Sequence, residues 1–389
     1  PVHFMGFRME VFELGATLLS LVTMFYVLVG GMRSVAWTDV LQGTLLIIGM
    51  LTASVATVVS MGGPAGFFDT FRELPAQALS LPGPRGIWNP TTLLTICAVA
   101  SIASIIQPGQ WMRLYAARND RTLKQSALAF SVILPLCFLL GVMPVALAGR
   151  GLFPPEVGNG LQLAHPAVAE FDQIIVVMIK EQLPELLGFT GMVLVAVILV
   201  AILAASMSTA DSNLHALSAV LTRDVYDRFL RPGSGELERA WVGRGVIVGA
   251  TLLALWFVNS LHHNPDFRPF QMIAEIMFVA VASSCQILPA TVDMLFLRRG
   301  TRAGMVAGMA AGLAVVLCFT PFPVAILEGL GLEAPTRLLQ AVTGLFRSYF
   351  DIGFCGMVVN IAVFAAVSRF TQPVSAERAA AFARELERD

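Results

Sequence analysis

Nine long, mostly apolar stretches recur along this chain, at 10–31, 34–61, 90–114, 123–148, 187–221, 240–261, 270–297, 303–327 and 347–369. A helix needs roughly 20 such residues to cross the hydrocarbon core of a bilayer. In lipid every backbone polar group must be paired within the protein, so only helices and closed barrels span. Barrel strands alternate apolar and polar residues. These stretches are apolar all round, which selects helices. The chain therefore reads as an all-α polytopic membrane protein with about nine transmembrane helices. Composition agrees: of 389 residues 56% are hydrophobic and only 13% charged, against about 25% charged in soluble domains. That excludes a soluble enzyme, a disordered chain and a nucleic-acid binder. The net charge of −1 points to no polyionic partner. Five scattered cysteines show no metal-site or disulfide spacing and read as apolar filler.

Orientation follows from Lys and Arg in the connections. One alternating set, running from Arg33 through Arg113–Lys124, Arg223–Arg244 and Arg298–Arg302 to the tail that starts at Arg369, holds 17 of them; the other holds 8. The first set is expected to be cytoplasmic, so the first visible span enters from outside and the C-terminus lies inside. Segments 63–88 and 151–186 are rich in Pro and Gly, and each has room for a short surface helix. Span 187–221 is overlong and is expected to run on towards Tyr226. The tail Ser375–Asp389 reads as a solvated or interfacial helix with a weak stripe of Ala379, Phe382 and Leu386. The chain opens Pro1-Val2-His3, with neither an initiator Met nor a signal segment.

Two spans carry chemistry. In 90–114 the apolar run ends at Gln107-Pro108-Gly109-Gln110-Trp111. Proline removes a backbone donor and clashes with the preceding turn. Transporters use such breaks to aim half-helix ends at substrates and ions; a plain kink fits this motif equally well. In 187–221, Ala205, Ser208 and Thr209 stand at i, i+3 and i+4 and share a helix face. Two hydroxyls beside a helix carbonyl form an oxygen-only patch suited to a hard cation. The same residue types also serve as helix–helix packing. Asp211 and His215 follow one turn apart, either as a functional pair in the membrane or already near the cytoplasmic surface. Glu13, Asp39, Glu275 and Asp293 are the other candidate buried charges.

Taken together these segments resemble the sodium/solute symporter family, which includes bacterial proline, pantothenate and sugar transporters. Gly30-Gly31-Met32-Arg33-Ser34-Val35-Ala36-Trp37-Thr38-Asp39, then Gln107-Pro108 with Arg113 and Ala116-Ala117-Arg118, then Ala205 through Thr209 and Leu221 through Tyr226, carry the resemblance. It implies a leucine-transporter-like fold of two inverted five-helix repeats. By motif, 10–61 resembles the end of the first repeat, 90–297 the second repeat, 303–369 two trailing helices and 370–389 a cytoplasmic tail, all in one symporter domain. On that mapping the leading helix and core helices 1–3 are missing, which would explain the absent Met. The resemblance further implies Na⁺ as the coupling ion at Ala205, Ser208 and Thr209, with other ligands on the missing core helix 1. It places Asp39 and Asp211 on the coupling or cation path. Ser104, Gln107, Pro108, Trp111, Gln271 and Glu275 become substrate candidates. Proline-type members have aromatic residues where this chain has Ser104 and Ala100, and some sugar-type members have a glutamine where it has Ala274. These departures weigh against the pockets of those particular members.

The leading functional expectation is sodium-coupled symport of a small polar organic solute (an amino acid, sugar, carboxylate or similar) by alternating access. The setting is a bacterial-type plasma membrane, with no obligatory protein partner and no organic cofactor. The alternatives are a transporter-like sensor module and an inactive fragment of a symporter. No cluster of His, Asp and Glu at one membrane depth suggests an enzyme.

Overall fold

The computed structural model describes residues 2–4, 7–72, 76, 80–81, 88–153, 157–158, 161–162, 173–263, 273–372 and 384. In chain order it begins with a hairpin, β1 (Val2–Phe4) and β2 (Phe7–Met9), and then α1 (Val11–Ser60), α2 (Gly63–Arg72), α3 (Pro90–Ile106), α4 (Pro108–Tyr115) and α5 (Asp120–Cys137). A π-helical turn (Phe138–Val142) leads from α5 into α6 (Met143–Leu152). A second small hairpin, β3 (Val157–Gly158) and β4 (Leu161–Gln162), precedes α7 (Ile174–Leu187), α8 (Phe189–Ala219) and α9 (Glu236–His263). The remainder is α10 (Ile273–Ser284), α11 (Leu288–Val292), α12 (Arg302–Cys318), α13 (Pro321–Gly329), α14 (Glu333–Arg347) and α15 (Ile352–Phe370).

Among the described residues six helices are long and apolar enough to cross a membrane, or eight if each of two bent pairs counts as one span. Those eight cover all nine expected stretches, because α1 carries two of them. At 50 residues α1 is about twice a span, and it is interrupted at Gly31 (φ 58°, ψ −167°). An L side chain there would be strained, and glycine is not. The expected break after Ile106 is present, with α3 and α4 bent by 48°. A second bent pair, α12 and α13 at 68°, divides the stretch 303–327. Span 187–221 does run on, as π-helical turns from Val220 to Leu230. The two Pro- and Gly-rich connections hold α2 and α7, while their other parts lie largely outside the described residues. The amphipathic α14 was not foreseen, and the expected tail helix also falls outside them.

Local sequence sets the helix starts. Asn89 caps α3 through the Thr92 N–H at 2.8 Å, with Pro90 at the first helical position. Asn119 caps α5, Thr301 caps α12 and Asp351 caps α15 in the same way. Each side chain satisfies a donor that the first turn leaves open. Asp293 proves to be such a local acceptor too, taking N–H bonds from Arg299 (3.1 Å) and Gly300 (2.8 Å). Glu13 pairs with His263 at 3.2 Å, and its neighbour Glu10 with His262 at 2.8 Å. These contacts bring the start of α1 and the end of α9 to one face, as the alternation of spans requires. His262 holds the Glu10 carboxyl below the usual carboxylate range. That contribution to stability is present above the unfolded pKa and fades as pH falls.

The chain divides into two compact units. One comprises Pro1–Leu74 with Met112–Phe267, and the other Pro75–Trp111 with Arg268–Asp389. In the first, α1 packs along α8. Its main core gathers Ala53, Phe67, Val145, Met178, Leu183 and Ile198. A second core, Val27, Val35 and Ile247, sits around the Gly31 break. In the second unit α12 lies against α15. Gly304, Gly308 and Gly312 line the contact, and a Cβ on Gly312 would come within 2.2 Å of Gln286 Oε1. Small residues allow helices to approach closely in lipid, where no hydrophobic force drives them together. The fully buried Asn360 donates to the Gln286 carbonyl at 2.7 Å, and Gln286 Nε2 donates to the Gly353 carbonyl at 3.1 Å.

This packing yields a first prediction. Gly312→Leu should disrupt the α12–α15 contact and cut the yield of monodisperse protein in size-exclusion chromatography. Asn360→Ala should fold but lose about 1–2 kcal/mol, the range found for interhelical hydrogen bonds in membranes. An unchanged melting temperature for both would show that this contact does not hold the pair together.

Candidate functional site

The oxygen patch lies on α8 in the first unit. Ser208 Oγ donates to the Ala205 carbonyl at 2.8 Å and Thr209 Oγ1 to the same carbonyl at 3.4 Å. The three oxygens thus cluster within one turn, as the i, i+3, i+4 spacing requires. A hydroxyl that donates its proton keeps its lone pairs, so both side chains can still face a cation. Ser208 is half-buried and Thr209 exposed. Three oxygens are about half of the six or more that hard divalent cations such as Ca²⁺ take.

A polar network begins one turn further along. Asp211 is fully buried, and Tyr26 on α1 donates to its Oδ2 at 2.7 Å. Ser212 Oγ bonds the Ser208 carbonyl at 2.9 Å and lies 3.1 Å from Asp211 Oδ1. Arg113, on α4, donates from one guanidinium nitrogen to Ser212 Oγ at 2.5 Å and to Asp39 Oδ2 at 2.8 Å. Asp39 and Asp211 are therefore joined through Arg113 and Ser212. Asp39 Oδ1, Gln42 Oε1 and His215 Nε2 are buried without a hydrogen-bond partner among the described residues. With both carboxylates ionised, two negative charges face one guanidinium. The set is then short of one positive charge, and for the fully buried Asp211 an uncompensated charge is costly.

The sequence placed Asp211 and His215 one turn apart, but the two oxygens of Asp211 go to Tyr26 and Ser212. Sequence reasoning used Arg113 only as an orientation charge and as part of a motif, and it passed over Tyr26 and Gln42. Their one signal was a polar side chain inside or at the end of an apolar span.

The substrate candidates Ser104, Gln107, Pro108 and Trp111 belong to the second unit. Ser104 Oγ donates to the Ser101 carbonyl at 2.9 Å. Gln107 closes α3 with ψ 134°. Its carbonyl accepts N–H bonds from Gln110 (2.9 Å) and Trp111 (3.2 Å). The carbonyl at the break is thus satisfied from within. Glu275 is placed on α10 by its backbone, and Gln271 lies outside the described residues.

The model of the sodium:solute symporter family matches residues 9–312. This chain belongs to the sodium:solute symporter family. Among its relatives is the sodium/proline symporter of Haemophilus influenzae, 26% identical over 289 residues, which are 72% of this chain and 52% of that protein. The sodium/pantothenate symporter of the same organism is 23% identical over 249 residues, 64% of this chain and 47% of the relative. The chain spans about half the length of the curated relatives it matches. A solved Na⁺-coupled sialic acid symporter, in a substrate-bound outward-open state, superimposes with a TM-score of 0.63 at 20% identity; the match covers 96% of this chain and 69% of that one. That likeness gives the fold, which is leucine-transporter-like.

The network itself can be tested. Tyr26→Phe strips the hydroxyl from a fully buried carboxylate and should cost about 1–3 kcal/mol, read as a lower melting temperature of the purified protein. Adding Asp211→Asn should cost less than the sum of the two single changes. Strict additivity would mean the two side chains do not interact.

Proposed function

We propose that this chain is part of a sodium-coupled symporter that moves a small polar organic solute across the plasma membrane by alternating access, with its C-terminus on the cytoplasmic side. The observation that carries the reading is the Ala205–Ser208–Thr209 oxygen cluster, one turn from a polar network short of a positive charge. A sodium ion on those oxygens would supply that charge. The family and the transporter names of the relatives support the same reading. Asp39 and Asp211, coupled through Arg113 and Ser212, are the residues through which sodium occupancy would be felt beyond the cluster. In this reading Na⁺ binds the outward-open state better than the inward one and so shifts the population towards it. One charge crossing 100 mV yields about 2.3 kcal/mol before any concentration gradient is added.

The substrate would meet the α3–α4 break, at Ser104, Gln107, Pro108 and Trp111, with Gln271 and Glu275 as further contacts. Relatives named for proline, pantothenate and sialic acid keep the solute class broad. Ser104 and Ala100 in place of aromatic residues argue against proline itself.

The test is ²²Na⁺ binding to the purified protein, together with Na⁺-gradient-driven uptake of amino acids, sugars and carboxylates into vesicles. Ser208→Ala with Thr209→Ala should raise the half-saturating Na⁺ concentration by about tenfold or more, since two charge-to-dipole contacts are lost. Unchanged Na⁺ dependence would reduce both hydroxyls to packing. Uptake indifferent to the Na⁺ gradient would sink the coupling.

A further inference from the structure

A cavity in the second unit has no role in this scheme. Its volume is about 740 Å³, and it lies between the segment Leu288–Gly300 and the last turns of α15. That size falls within the usual range of small-ligand sites. Its walls include Val292, Ile361 and Phe364, and Arg299 and Arg369 line it as well. Both walls end candidate spans, at Leu297 and Phe370. The apolar part therefore lies at hydrocarbon depth and the two arginines at the polar boundary. Leu297 is 58% exposed and Ile361 48% exposed, so this region faces the bilayer.

The charges at the rim are unbalanced. Asp293 also lines the cavity, but its two oxygens are taken by the backbone N–H groups of Arg299 and Gly300. Among the described residues neither Arg299 nor Arg369 has an ion-pair partner. Arg298, held at φ 54°, and Arg302 stand near Arg299 in sequence. Guanidinium groups match phosphate oxygens in geometry as well as charge. Basic pockets between membrane helices suit anionic headgroups. An apolar slot open to lipid, with two uncommitted guanidiniums at the interface, complements a molecule that carries phosphate and acyl chain together.

We propose that this cavity binds one anionic phospholipid, its phosphate held by Arg299 and Arg369 and one acyl chain lying along Val292, Ile361 and Phe364. The experiment uses the full chain, delipidated in detergent and titrated with dioleoyl phosphatidylglycerol, dioleoyl phosphatidylcholine or glycerol phosphate. Bound lipid is counted by native mass spectrometry, and the melting temperature is followed in parallel. Phosphatidylglycerol should bind and raise the melting temperature, while phosphatidylcholine and glycerol phosphate should do neither. Arg299→Gln with Arg369→Gln, both at exposed positions, should weaken phosphatidylglycerol binding by about tenfold or more, as expected when two basic residues leave a headgroup site. Equal binding of the two lipids, or undiminished binding by the double variant, would overturn the proposal. A full shift with glycerol phosphate alone would also overturn it, because the site would then serve a free anion.

Discussion

The structure depends first on the absence of water in the bilayer core. A backbone N–H or C=O that loses its helical partner there must find another inside the protein. Two of the interruptions show such replacement bonds. At Gln107 the carbonyl that closes α3 is taken up by the N–H groups of Gln110 and Trp111. After Cys318 the chain turns by 68°, and the N–H groups of Phe319 and Thr320 return to carbonyls of the last turn of α12. The breaks are therefore built features, and the unwound residues are few.

The same constraint governs side chains. Hydroxyls along the spans mostly donate to a carbonyl three or four residues earlier, as Ser101, Ser206 and Thr251 do. Two of the sets of polar groups that depart from this local habit stand in contrast. One is the Gln286–Asn360 lock in the second unit, which is neutral and satisfies its neighbours. The other is the set around Asp39, Asp211 and Arg113, which is charged and leaves buried acceptors open. A neutral, satisfied lock suits a fixed helix contact. A charged and incomplete set is what the proposed sodium coupling would draw on.

What could be read from the sequence was what depends on neighbours along the chain. Span positions, the α3–α4 break, the extension past Ala219 and the clustering of Ala205, Ser208 and Thr209 all follow from spacings of a few residues. Contacts across long stretches of chain could not be read this way. Tyr26 meets Asp211 over a separation of 185 residues, and Arg113 reaches Asp39 over 74. Helical periodicity says which residues share a face, but not which distant face it meets. The bend between α12 and α13 was missed for a related reason. Thr320-Pro321-Phe322-Pro323 signals a break, yet the apolar run continues through it and masks the change of direction.

The Gly31 interruption also sets where the polypeptide tolerates added length. Most neighbouring membrane spans are joined by loops, and loop tips absorb insertions with little harm. Here two spans meet at a single residue. One residue added after it would rotate the following helix by about 100°. Val35 would leave its core with Val27 and Ile247, and Asp39 would turn away from Arg113. This junction leaves no slack for tags, epitopes or evolutionary inserts.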